Sequence, residues 1–151
     1  MDDYQVLEKK TELLCKGVYL NPDLVTYYQK QGINLGYGRK GGAGPLGGRY
    51  FLFKDQTLVN VALWDSNEHT NLSLGVKKGE FFQVLDRHQN NVFAELILVN
   101  NPRFYDRKTS DGIEMKKIAL VHGVDCLATT IYQKCAYWTC GEACKFCGIQ
   151  L

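Results

Sequence analysis

Apolar positions open the chain at Tyr4, Leu7, Leu14 and Val18, with Glu8, Lys9, Lys10 and Glu12 between them. Near-helical spacing of this kind predicts an amphipathic helix whose role is packing. A second helix is signalled by Asn21-Pro22-Asp23, which offers a cap, a proline at the first helical position and an acid in the first turn. It covers Leu24 to Gln31, and Gly32 is placed to stop it. From Arg49 the pattern shifts to short β-branched and aromatic runs. RYFLF and LVNVALW, separated by KDQT, predict a hairpin; LSLGV, EFFQVL and VFAELILV follow, divided by KKGE and DRHQNN.

The simplest assembly of these elements is an α+β domain over residues 1–101, two short helices carried on a small antiparallel sheet. Asn101-Pro102 and the polar run DRKTSDG, Asp106 to Gly112, predict a connector over 102–123 that turns apolar at IALVH. CLATTIY, from Cys126, is then read as the first strand of a second domain over 124–151.

The composition, 45% hydrophobic and 23% charged, is that of a globular protein and excludes disordered and collagen-like classes. The formal charge of +2 comes from scattered basic pairs, so no nucleic-acid partner is expected. No apolar run reaches the roughly 18 residues that span a bilayer, and MDDYQVLEKK has no signal-peptide pattern. The expectation is a cytoplasmic protein without a membrane partner. In that reducing setting cysteines are ligands or buried hydrophobes and not disulfides.

The run GYGRKGGAGPLGG contains Gly36-x-Gly38-x-x-Gly41, but Gly42, Gly44, Pro45, Gly47 and Gly48 forbid the helix a dinucleotide site needs. It reads first as a turned or flexible loop, with an anion-binding nest of glycine amides, Arg39 and Lys40 as its functional alternative.

Five of the six cysteines lie from Cys126 onward, and three of them form Cys140-x-x-x-Cys144-x-x-Cys147. Three thiolates at this spacing can wrap one metal centre. Four would saturate a four-iron cluster, whereas three leave one iron open to an exogenous ligand. Cys135 lies five residues before Cys140 and is an alternative first ligand. With Cys140, Cys144 and Cys147 it would also complete a four-thiolate zinc site or an iron–sulfur electron-transfer module. Cys15 and Cys126 stand in apolar settings and are read as buried packing residues, and none of the three histidines is assigned a ligand role.

The motif, with Phe146 at the aromatic place before the last cysteine, resembles the hallmark of the radical S-adenosylmethionine superfamily. GRKGGAGP, RFYDRKTSDG, KKIALVHGVDCLATT and CKFCGI further resemble an uncharacterised subfamily associated with nitrilase gene clusters. The resemblance implies that Cys140, Cys144 and Cys147 ligate a 4Fe-4S cluster and that Phe146 packs near the adenine of S-adenosylmethionine. It implies reductive cleavage to a 5′-deoxyadenosyl radical that abstracts hydrogen from a small-molecule substrate. A one-electron reductant of flavodoxin or ferredoxin type would be the partner. It also implies that residues 124–151 begin a partial β/α barrel, CLATTIY being its first strand. A whole barrel takes about 250 residues, so this chain is expected to be the N-terminal part of a longer enzyme and to be inactive alone.

Overall fold

Helix α1, Asp3–Lys16, starts at a capping box: the Asp2 carboxylate accepts the Gln5 backbone N–H at 2.8 Å, and the Gln5 side chain accepts the Asp2 N–H at 3.3 Å. It ends at Gly17, whose N–H donates to the Leu13 carbonyl. The structure is a computed structural model that describes residues 2–35, 46–129 and 135–145. The chain divides into two units, Met1–Val99 and Asn100–Leu151.

In the first unit a two-residue strand β1, Val18–Tyr19, follows α1 and leads into α2, Pro22–Gln29. The predicted cap is present, with the Asn21 side chain accepting the Asp23 N–H at 2.9 Å. Five longer strands follow: β2 (Gly48–Leu52), β3 (Leu58–Trp64), β4 (Leu72–Lys78), β5 (Phe81–Asp86) and β6 (Asn91–Leu98). The RYFLF–LVNVALW hairpin is β2–β3, with Tyr50 opposite Asn60. The six strands close in the order β1-β3-β2-β6-β5-β4.

This barrel corrects the expected small antiparallel sheet. β1 runs parallel to β3, pairing Val18 with Leu63, and parallel to β4, pairing Tyr19 with Ser73, so the sheet is mixed and shut. Closure has two local causes. Irregularities between Leu74 and Lys77 on β4 and, where β5 steps from Val84 to Leu85, between Val92 and Ala94 on β6 add curvature, as bulges do. Val18 and Leu20, each 1% exposed, point inward and draw the short strand into the gap between β3 and β4. Phe51, Phe53 and Phe82 fill the interior with Leu13 of α1 and Leu35.

The face that α1 buries also differs from the expected one. Val6 and Leu13 are buried, whereas Tyr4, Leu7 and Leu14 are exposed. The rotation of the helix is set where it leaves. Trp64 Nε1 donates to the Lys16 carbonyl at 2.9 Å, and Thr70 Oγ1 donates to the Gly17 carbonyl at 3.3 Å. These bonds pin the exit against β3, so two apolar residues win the interior over three competitors.

Asp86 closes the turn from β5 to β6. The Asn71 side chain and the backbone N–H groups of Gln89 and His88 hold its carboxyl below the usual aspartate range. A lowered folded-state pKa means that this contribution is complete above the unfolded value, about 3.9, and is lost as pH falls through the folded value. Asp86→Asn is therefore expected to be less stable than the parent at pH 7, with the two urea midpoints converging below about pH 4. A gap that stayed constant with pH would contradict this role.

The second unit carries a 3-10 turn at Arg103–Asp106, a short α3 (Met115–Ile118), strands β7 (Ala119–His122) and β8 (Cys126–Thr129), and a single-turn α4 (Ala136–Thr139). Tyr105 is buried, and its hydroxyl accepts the Val121 N–H at 2.8 Å. Thr129 Oγ1 donates to the Ile118 carbonyl at 2.7 Å. β8 pairs with β7 antiparallel, Leu120 opposite Ala128 and His122 opposite Cys126. This overturns the reading of CLATTIY as the opening strand of a partial β/α barrel, whose strands pair in parallel. The short link 123–125 forces the reversal, because only an antiparallel pair closes over so few residues. No helix among the described residues is long and apolar enough to cross a membrane.

Candidate metal centre

Three of the predicted ligands belong to the described residues, and α4 organises two of them. Cys135 is its N-cap and makes no capping hydrogen bond through its side chain. Cys140 is its C-cap, and the Cys140 N–H donates to the Ala136 carbonyl at 3.1 Å. The two cysteines thus stand at opposite caps of a four-residue helix. The Cys140 thiol rests against the Tyr137 carbonyl at 3.6 Å, a weak sulfur contact readily given up to a metal.

Gly141 then takes φ 82°, a left-handed turn that glycine adopts without strain, with no atom within 4 Å of where a Cβ would stand. The turn carries the chain through Glu142 to Cys144, both exposed. Cys135, Cys140 and Cys144 are all exposed and not disulfide-bonded, so each thiol is open to an exogenous ligand. Among the described residues no three His, Cys, Asp or Glu side chains are already gathered around one point. Cys147 and Phe146 lie outside the described residues, as do Arg39 and Lys40 of the anion-nest alternative.

The donor set fits a soft metal centre. Thiolates prefer iron–sulfur clusters and zinc, and ligands from one short exposed segment can close on a centre without disturbing a packed core. Lys145, exposed beside Cys144, contributes positive charge where a thiolate-bound centre would be negative.

Two expectations about the other cysteines are corrected. Cys15 and Cys126 are exposed, not buried. Cys15 follows the outward face of α1. Cys126 sits opposite His122 at the turn end of a two-stranded hairpin that has no third strand among the described residues. Apolar neighbours in sequence suggested burial, but a hairpin this small has too little cover to bury both of its faces. Asp111 belongs to a turn: the Thr109 hydroxyl bonded to its carboxylate holds that carboxyl below the usual range, which accounts for it without a catalytic role. Comparison with protein-family models, with curated proteins and with solved structures finds no match to this chain.

Proposed function

We propose that Cys140, Cys144 and Cys147 hold a 4Fe-4S cluster and that the chain is part of a radical S-adenosylmethionine enzyme acting on a small-molecule substrate, with a one-electron reductant as partner. The observation that carries the reading is the ligand count and spacing: three thiolates in Cys140-x-x-x-Cys144-x-x-Cys147 leave one iron of a cluster open. The exposure of Cys140 and Cys144, on either side of a glycine turn, supports it. When bound, the cluster supplies one electron to the sulfonium of a coordinated S-adenosylmethionine. The chain's own part is to present the three sulfurs, to keep the fourth position free of protein ligands, and to bring Phe146 beside the adenine.

A second reading is favoured by one observation. Cys135 is exposed, lacks a side-chain capping bond, and lies five residues before Cys140 at the other cap of α4, which leaves it available as a fourth thiolate of a structural zinc or electron-transfer site. Metal analysis of the chain after anaerobic iron and sulfide reconstitution separates the two. The open-site reading expects about four irons per chain, unchanged by Cys135→Ala. The closed-site reading expects a metal lost with Cys135→Ala, and stoichiometric zinc would select a structural site.

A further inference from the structure

Helix α1 carries more apolar surface than the barrel takes. On its outward face Tyr4, Leu7 and Leu14 are 75%, 60% and 51% exposed. Tyr4, Leu7, Thr11 and Cys15 line a shallow groove of about 390 Å³ along the helix, with Glu8 and Glu12 at its side. Scattered single exposed apolar residues are ordinary, but three on one face of one helix make a patch that burial elsewhere would stabilise. Their spacing of three and seven residues is the one by which a helix reads a partner helix.

The charge around this face selects the occupant. Asp3 and Glu8 are exposed and have no ion-pair partner among the described residues. Two of the three basic residues of α1 are engaged. Lys9 Nζ donates to the Phe93 carbonyl and lies over the Phe93 ring, 5.3 Å from its centroid, Lys10 is half-buried, and Lys16 pairs with Glu12 at 2.6 Å. The free face is therefore apolar with an acidic border. A second copy offers Glu8 no free cation from α1, since Lys9 and Lys16 are already engaged within their own chain. An anionic lipid surface is repelled by the exposed Asp3 and Glu8.

We infer that the outward face of α1 docks a cationic amphipathic helical segment of a partner protein, its apolar residues seated on Tyr4, Leu7 and Leu14 and its lysines or arginines facing Asp3 and Glu8. A helix of this length spans about 21 Å, enough for three turns of a partner but well below a standard protein interface, so the contact is transient.

The test uses a fluorescein-labelled synthetic helical peptide with leucines at i, i+3, i+7 and i+10 and lysines flanking them, titrated with the full chain by anisotropy. Binding with a dissociation constant on the order of 10 μM at low salt is expected, weakening as salt rises. It should weaken at least about tenfold in Leu7→Ala/Leu14→Ala and in Asp3→Lys/Glu8→Lys, as expected for an anchor and its charged border. These are surface positions, and circular dichroism confirms that both variants stay folded. The same peptide with glutamates for lysines should not bind. Absence of binding, binding indifferent to both double variants, equal binding of the acidic peptide, or a dimer in light scattering that the Leu7→Ala/Leu14→Ala variant dissolves would each overturn the inference.

Discussion

Gly17→Ala is expected to lower the stability of the barrel unit by about 3 to 5 kcal/mol, among the largest effects of any single substitution in it. Two costs add. The residue holds φ 64° with ψ −165°, a region essentially reserved for glycine, where an L side chain strains the backbone by about 1 to 3 kcal/mol. A Cβ there would also stand 2.5 Å from the Ala62 carbonyl oxygen, 2.7 Å from Trp64 Nε1 and 2.9 Å from the Ala62 Cβ. Two of those three neighbours belong to the β3 backbone or its root and cannot swing aside. Relief requires the exit of α1 to lift from β3, which breaks the Trp64 bond to the Lys16 carbonyl and unseats Leu13 from the core. Since domains of this size are stable by about 5 to 15 kcal/mol in all, the urea midpoint should fall by at least about a fifth. A midpoint close to the parent's would show that α1 is not anchored at Gly17, and the account of its rotation would fail with it.

Loss of cluster iron in Cys140→Ala and in Cys144→Ala is the second large effect. Each variant removes one of only three proposed thiolates, and a cluster held by two protein sulfurs in an exposed segment has little to retain it. Reconstituted iron should fall from about four per chain to below about one in either variant. Cys15→Ala and Cys126→Ala should leave it unchanged, because those cysteines belong to α1 and to the hairpin and not to the segment that follows α4. Equal loss in all four variants would mean nonspecific iron uptake by exposed thiols, and retention in Cys144→Ala would remove that residue from the ligand set.

Much of the local structure of the first unit was legible, and the reasons it was or was not are physical. Caps and turn residues act within a few positions of themselves, so the α2 start at Asn21-Pro22-Asp23 and the β2–β3 hairpin could be read directly. The two-residue β1 was not. Its signal is too short for any periodicity, and what makes it a strand is the gap between β3 and β4, an object that exists only after folding. Helix α1 was legible as a helix but not in its phase. Val6 with Leu13 and Tyr4 with Leu7 and Leu14 form two rival apolar rows, and the choice between them falls to contacts of Gly17 with Ala62 and Trp64, far along the chain. β8 was misassigned because a run such as CLATTIY is compatible with either strand direction. The reversal is fixed by the brevity of the link back to β7.

The candidate site divides along the same line. Spacing marks Cys140, Cys144 and Cys147 as a candidate ligand set, with Cys135 as an alternative first ligand, since ligands from one short loop need no distant partner to be recognised. The helical turn that puts Cys135 and Cys140 at opposite caps has no such signature, being four residues long with no side-chain cap at its start.

The most direct test of the radical S-adenosylmethionine reading is electron paramagnetic resonance of the anaerobically reconstituted and reduced chain, recorded with and without S-adenosylmethionine. The account predicts a four-iron signal whose g values shift when S-adenosylmethionine is added, because an open iron takes the ligand. A spectrum indifferent to S-adenosylmethionine, or a chain that holds zinc and forms no cluster, would contradict it.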